Sequence, residues 1–459
     1  MSRAGQSLWA GRFREPPAPE AAALGRSLAF DVRLAPHDVE ASIAHVRGLE
    51  DAGLLRADDA AALEQALREV GAEIAAGTFG FDDGDEDVHS AIERGVTDRL
   101  GDLGARLHAG RSRNDLVATD LRLWMLAAHE RIDEDLVRLV GALVVRAREH
   151  AGTPMPGSTH GRAAQPVTLG HALLAHAWPL LRDRERLAEW ARRAAVSPLG
   201  AGAIATSTLP LDPVSAAERL GFPRAFENSI DAVSDRDFVQ EFLAHAAILG
   251  THVSRLASDL IRVTDDALGW ASLSDAYSTG SSMMPQKRNP DVAELARAKA
   301  GRLIGDFAAL SSVLVGLSLG YHRDLQEDKE RAFDAVDTIR AVLPALTGCV
   351  ETIRFDEDRL RAAASAPSLF ATDLAEDLVR RGVPFREAHR RVGELLKELA
   401  AGGRTLADLS DDAWAELGVP EGRALLDPAR SLEARAAPGG PSSSSVVQQA
   451  DRIERMLAG

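Results

Sequence analysis

Residues 116–148 read LVATDLRLWMLAAHERIDEDLVRLVGALVVRAR, more than thirty positions without a proline. Leu123, Leu126, Ile132, Leu136, Leu139 and Leu143 recur there at helical spacing. A single helix of that length belongs to a bundle core rather than to a small globule. Working outward, Val39, Ser42, Ile43 and Val46 predict a helix over Pro36–Gly48. A second long helix is expected at about Leu169–Ala195, with Pro179 as a kink. A third is expected at about Asp235–Leu268. A fourth runs from about Pro290 to Leu319, with proline in the first turn and Asp291 and Glu294 near the positive dipole end. Alternating Val, Ile, Thr and Tyr runs are almost absent, while Ala, Leu, Arg and Glu dominate. The fold class is mainly α.

The chain divides into three parts: 1–110 with short helices and Gly-rich turns, 111–360 with the long helices, and 361–459 with shorter helices. Gly382, Gly402-Gly403 and Pro438-Gly439-Gly440 break the last part. Long helices with continuous apolar stripes bury them against partner subunits, so a homo-oligomer is expected. The 459 residues are 45% hydrophobic and 27% charged, which excludes disordered and low-complexity classes. A net charge of −16 argues against nucleic acid as a partner and predicts repulsion from anionic membranes. No apolar run approaches the ~20 residues that span a bilayer. Cys349 is the only cysteine, which excludes a disulfide framework and thiolate metal clusters. Residues 1–5 lack the apolar core of a signal peptide, so a cytoplasmic protein is expected.

Lysine occurs only at Lys287, Lys299, Lys329 and Lys397, leaving 49 of the 53 basic residues to arginine. A lysine kept against that bias marks a candidate position for a compact point charge.

Four polar segments interrupt the helical pattern. Gly110-Arg111-Ser112-Arg113-Asn114-Asp115 reads as a helix start capped by Asn or Asp, and its two arginines also suit an anion. Gly157-Ser158-Thr159-His160, followed by Gln165-Pro166, places a titratable histidine in a loop. Thr279 to Pro290 (TGSSMMPQKRNP) is either an exposed linker or a lid, with Met283 and Met284 favouring closure over something. A serine acts as a base only where a positive charge or helix end stabilises its alkoxide, and Lys287 offers that charge. Tyr321 to Glu330 (YHRDLQEDKE) reads in isolation as a solvated helix face. His171 and His176 are five apart rather than four, which disfavours a zinc pair. Asp82 to Asp87 resembles a calcium loop only in charge. No glycine-rich nucleotide motif follows a strand.

The segment Gly280–Pro290 resembles the signature G-S-S-x-M-P-x-K-x-N-P of the fumarase/aspartase superfamily, whose members eliminate fumarate from substituted succinates. Within it, the chain is similar to the argininosuccinate lyase family. Leu8-Trp9-Ala10-Gly11-Arg12-Phe13 is similar to that family's L-W-G-G-R-F, and Gly110–Asp120 to its G-R-S-R-N-D-x-x-A-T-D. Asp231–Asp237 and Asp324–Lys329 resemble further family stretches. The resemblance runs from Trp9 to Gly440.

It implies a three-domain, mainly α homotetramer with a twenty-helix core, active sites shared between subunits, and no metal or organic cofactor. It implies cleavage of argininosuccinate to arginine and fumarate, or, in a sibling lyase, of adenylosuccinate. A catalytically silent, crystallin-like protein on this scaffold is the structural alternative. By resemblance, Ser281 matches the base that takes the Cβ proton and His160 the partner at the leaving nitrogen, and those two roles remain exchangeable. Glu294 would orient His160. Lys287 and Asn289 are placed to stabilise the dianionic aci-carboxylate. Ser27, Asp31, Arg113, Asn114, Thr159, Tyr321, Gln326 and Lys329 match substrate-binding positions. The stretch Gly161-Arg162-Ala163 departs from the family's Leu-Gln-Arg, and Leu116 from a common glutamine.

Overall fold

The structure, a computed structural model, describes residues 17–458. The first five residues and the Leu8–Phe13 stretch lie outside the described residues. In chain order the main elements begin with helices α1 (Ala35–Asp51), α2 (Ala57–Ala75), α3 (Val88–Leu100) and α4 (Arg113–Glu149). Strands β1 (Pro154–Thr159) and β2 (Arg162–Thr168) and helices α5 (Leu169–Ala194) and α6 (Asp237–Val263) follow. Then come β3 (Thr279–Gly280), β4 (Arg288–Asn289), α7 (Asp291–Leu314) and α8 (Asp328–Thr352). Helices α9 (Ala371–Arg380), α10 (Phe385–Ala401) and α11 (Ser443–Ala458) close the chain.

The expected long helices are present with shifted ends. Helix α4 covers 37 residues, starting three positions before Leu116. Helix α5 continues through Pro179. Helices α6 and α7 stop five residues short of expectation, and glycines in the left-handed region follow each: Gly269 (φ 58°) and Gly316 (φ 87°). Such a glycine turns the chain out of the helix where an L side chain would be strained. The mainly α reading holds, but the segment around Gly157–Pro166 is a correction. It forms an antiparallel hairpin rather than a loop, with Pro154 opposite Thr168 and Thr159 opposite Arg162. At Gly157 the register slips, and a Cβ there would meet the Gln165 carbonyl at 2.9 Å, so the slip requires glycine.

Packing divides the chain into two compact units. The first takes the chain up to Asp133 together with Glu185–Ala247 and Arg302–Ile339. Its core includes Ala41 and Ala44 of α1, Leu116 of α4, Leu199, Leu220 and Phe222, with Leu123 and Leu126 half-buried beside them. Leu121 and Met125 are fully buried like Ile132, so the stripe of α4 is wider than the expected series. Each such side chain contributes roughly 1.5–3 kcal/mol. A buried ion cluster ties α8 to the residue before α6: the Arg236 guanidinium donates to Asp328, and Lys329 Nζ reaches Asp328 Oδ1 at 2.9 Å.

The second unit comprises Glu134–Arg184, Ile248–Gly301 and the chain from Arg340 onward. Leu136, Leu139, Leu143 and Ala147 continue the α4 stripe into its core. A Cβ on Gly170 would lie 2.4 Å from the Ala147 carbonyl, so only glycine lets α5 start that close to α4. Leu374, Leu378, Val392, Leu399 and Trp414 form a separate apolar cluster on α9, α10 and the segment beyond.

Candidate active site

In the first unit, a cavity of about 600 Å³ is lined by Ser27, Asp31, Arg113, Asn114, Tyr321, Gln326 and Lys329. Seven expected substrate-binding residues from three separate stretches therefore meet in one place. Ser27 Oγ donates to Asp31 Oδ2 at 2.5 Å, and the Val88 amide donates to Asp31 Oδ1 at 3.0 Å. Burial pushes the Asp31 carboxyl up, against the opposing pull of His89 and Ser27. Asn114 Nδ2 donates to the Ala203 carbonyl. Burial also raises the Tyr321 phenol.

The start of α4 differs in detail from expectation. Ser112 and Asp115, not Asn114, make the cap: Ser112 Oγ accepts from the Asn114 amide and Asp115 Oδ1 from the Ser112 amide. Ser112 thus caps the second helical amide, and Asp115 reaches back to the Ser112 amide as the acidic residue of a capping box does. The two arginines also part company. Arg111 is buried and donates to Ser42 Oγ, whereas Arg113 lines the cavity and places Nη1 2.6 and 2.7 Å from the two oxygens of Asp87.

Asp87 and His89 also line this cavity, and the sequence reading had not singled them out. Asp87 caps α3 by accepting from the Ser90 amide at 2.7 Å. Burial would raise its carboxyl, but the charges of His89 and Arg113 hold it down to about 2. An Asp three residues before a serine at a helix start was the available signal, hidden inside the acidic run 82–87. Glu86 and Arg323, which pair at 2.5 Å, line the cavity as well.

The remaining six expected residues belong to the second unit and are not among the cavity's lining residues. His160 and Gly161 form the two-residue tip of the β1–β2 hairpin, with φ of 53° and 70°. Two consecutive positive values make a tight hairpin turn whose twist matches the strands. Histidine adopts that conformation rarely, and the turn projects Thr159 and His160 into solvent. Ser158 Oγ accepts from Arg262 at 3.0 Å, anchoring the strand behind the tip.

Ser281 begins an exposed loop whose base is the β3–β4 pair, Thr279 opposite Asn289 and Gly280 opposite Arg288. Ser281 Oγ accepts from the backbone amides of Met283 at 3.2 Å and Met284 at 3.0 Å. Two N–H groups on one hydroxyl oxygen favour its anionic form. Asn289 Nδ2 reaches Thr279 Oγ1 and the Gly280 carbonyl, both at 3.4 Å, and Thr279 donates to Asp291. Lys287, Met283 and Glu294 are exposed, Met283 at 87%. Within one chain the described residues place no hydrogen bond or ion pair between Glu294 and His160.

A lyase family model matches residues 11–305, and an argininosuccinate lyase C-terminal model matches residues 368–433. The chain is 52% identical over 453 residues to the argininosuccinate lyase of Frankia casuarinae, covering 98% of each. The chain belongs to the argininosuccinate lyase family. The Acidothermus cellulolyticus argininosuccinate lyase is also 52% identical, over 98% of this chain and 94% of its own length. Among solved structures, EDDS lyase in complex with formate superposes with a TM-score of 0.86 at 29% identity, over 97% of this chain and 91% of that one. The 3-carboxy-cis,cis-muconate lactonizing enzyme of Pseudomonas putida shares the fold, with a TM-score of 0.75 at 23% identity over 96% and 98% of the two chains. Membership of the argininosuccinate lyase family thus accompanies a helical scaffold that carries other names as well. No helix among the described residues is long and apolar enough to cross a membrane.

Proposed function

We infer that the protein is an argininosuccinate lyase, splitting 2-(Nω-L-arginino)succinate reversibly into L-arginine and fumarate in arginine biosynthesis. The observation that carries this reading is the mixed charge of the cavity, where Arg113, Arg323 and Lys329 stand beside Asp31, Glu86 and Asp87. A ligand with several carboxylates and a guanidinium needs both signs within one pocket.

In the proposed reaction the base, Ser281, takes the proton from the succinyl Cβ. The electron pair left on carbon is delocalised into the neighbouring carboxylate as an aci-dianion, with Lys287 and Asn289 as its donors. Collapse of that dianion forms the fumarate double bond and expels the guanidino nitrogen, which receives a proton from His160. The amides on Ser281 Oγ support the serine in the base role. Thr159 sits beside His160 and binds substrate with it. Glu294 orients His160 from another subunit in this scheme. No metal or organic cofactor enters it.

The protein acts as a cytoplasmic homotetramer with shared active sites, in which 1–110, 111–360 and 361–459 form the three domains of each subunit. Exposed apolar side chains on and just beyond α7, Leu295, Ile304 and Val315, support burial of that helix against further copies. The test is to mix the purified protein with argininosuccinate and record fumarate's ultraviolet absorbance. A rise is expected. No rise with argininosuccinate, together with turnover of adenylosuccinate, would overturn the substrate assignment.

A further inference from the structure

Asp38 of α1, His89 of α3 and Asp120 of α4 meet beneath the cavity, all three buried. His89 Nδ1 lies 2.6 Å from Asp38 Oδ2 and 3.3 Å from Asp120 Oδ2. Behind them, Arg111 Nη1 donates to Ser42 Oγ, which donates to Asp38 Oδ1, each at 2.9 Å. Asp87 at the head of α3 and Asp31 on the one-turn helix Leu28–Asp31 also face the ring electrostatically. Arg111 and Arg113, at the start of α4, are the nearby guanidiniums, and Arg113 is already committed to Asp87 and, at 3.9 Å, to Glu93. His89 itself lines the cavity, and its Nε2 has no protein partner. Neither oxygen of Asp120 accepts a well-directed hydrogen bond.

Two acidic groups buried around one ring leave a charge to be balanced, although burial and the charge of Asp38 push the Asp120 carboxyl up to about 7. A neutral imidazole would leave both without a cation in contact, whereas a protonated ring supplies one at the point they share. Unpaired buried polar atoms beside a cavity are the mark of a site built to act rather than only to pack.

We propose that His89 is a positioning residue, kept as a buried imidazolium by Asp38 and Asp120, whose charge opposes the effect of burial on Asp31 and Asp87 and favours their carboxylate forms on the cavity wall. Those carboxylates then face a cationic part of the ligand, a guanidinium or an ammonium. Burial by itself would push the ring's proton affinity down, but Asp120 and Asp38 beside the ring and the charge of Asp87 hold it up at about 10. The ligand assignment rests on the lyase reading, while the charge state of His89 does not.

His89→Gln keeps an N–H donor for Asp38 and removes the charge. Without its cationic neighbour the Asp31 carboxyl binds a proton more readily. The acid limb of kcat/KM for fumarate release therefore moves to higher pH by about one unit, and KM rises about tenfold while kcat changes less. A uniform loss of activity with the limb unmoved would overturn the proposal. If that variant does not assemble, the wild-type enzyme answers by proton NMR. A far-downfield N–H signal, abolished in Asp38→Asn, persists from about pH 6 to about pH 9. Its loss near neutral pH would equally overturn the proposal. Failure of the wild type to release fumarate would sink the lyase reading and leave the NMR result standing.

Discussion

Gly348 leaves the space that Tyr277 fills: a Cβ at Gly348 would lie 1.8 Å from the Tyr277 hydroxyl oxygen. Gly348 lies within α8, and Tyr277 ends the turn Asp275–Tyr277 just ahead of β3. The tyrosine therefore pins the chain two residues before β3 and four before Ser281. In a helix Gly→Ala alone gains about 1 kcal/mol, but overpacking costs about 1–3 kcal/mol. Gly348→Ala is expected to lower the unfolding midpoint, and the same change in a Tyr277→Ala background to raise it. Equal effects in both backgrounds, measured by urea unfolding, would separate the two residues.

Asp115 is fully buried and accepts three backbone amides, from Ser112 at 3.0 Å, Gly200 at 3.0 Å and Gly202 at 2.9 Å. Asp115→Ala strands all three donors and is expected to cost about 3 kcal/mol or more. Asp115→Asn keeps one acceptor and falls between. A loss below about 1 kcal/mol for the alanine variant would show that water replaces the carboxylate.

His45 is buried with Nε2 3.0 Å from the Ala109 carbonyl. Burial and then the charge of Arg111 lower its proton affinity from 6.5 to about 3. The unfolded chain takes up a proton below 6.5 that the folded chain refuses, so this group's contribution is present above that pH. It is lost as pH falls from about 6.5 toward 3, at up to about 1.4 kcal/mol per pH unit. His45→Gln keeps a donor for Ala109 and removes the titration. Its stability is expected to fall less steeply than wild type on the acid side, and parallel curves would refute the assignment.

The exposed methionines and the short β3–β4 base describe a loop able to close over a ligand. Protease nicking between Gly280 and Pro290 is expected to drop when arginine and fumarate are added. Ser281→Ala is expected to reduce fumarate release by about a thousandfold with unchanged thermal unfolding. Ligand-independent nicking would count against a lid, and retained turnover against serine as the base.

The architecture was legible wherever one stripe of apolar residues repeats along one helix, as from Leu116 to Arg148. The cavity was legible only in part. Ser27, Asp31, Arg113 and Lys329 came from matching stretches, but spacing alone could not show that they meet. Asp38, His89 and Asp120 come from three helices, and only Asp120 lies in a matched stretch; each is an ordinary polar residue until its neighbours exclude water. The hairpin at His160 escaped for a different reason. Its strands hold three prolines and Gly157 and lack a long β-branched run, and the turn depends on Gly161 accepting a positive φ.

The ion cluster at Asp328 has a practical corollary for amine chemistry. Lys329, 3% exposed and held by Asp328, is poorly accessible to acylating reagents. Three lysine side chains then remain to react readily, Lys287, Lys299 and Lys397, of which Lys287 and Lys397 are exposed and Lys299 is half-buried. Lysine-directed labelling of the native protein would thus deliver a fluorophore to the Ser281 loop with one competing exposed lysine to remove, giving an optical report of loop movement.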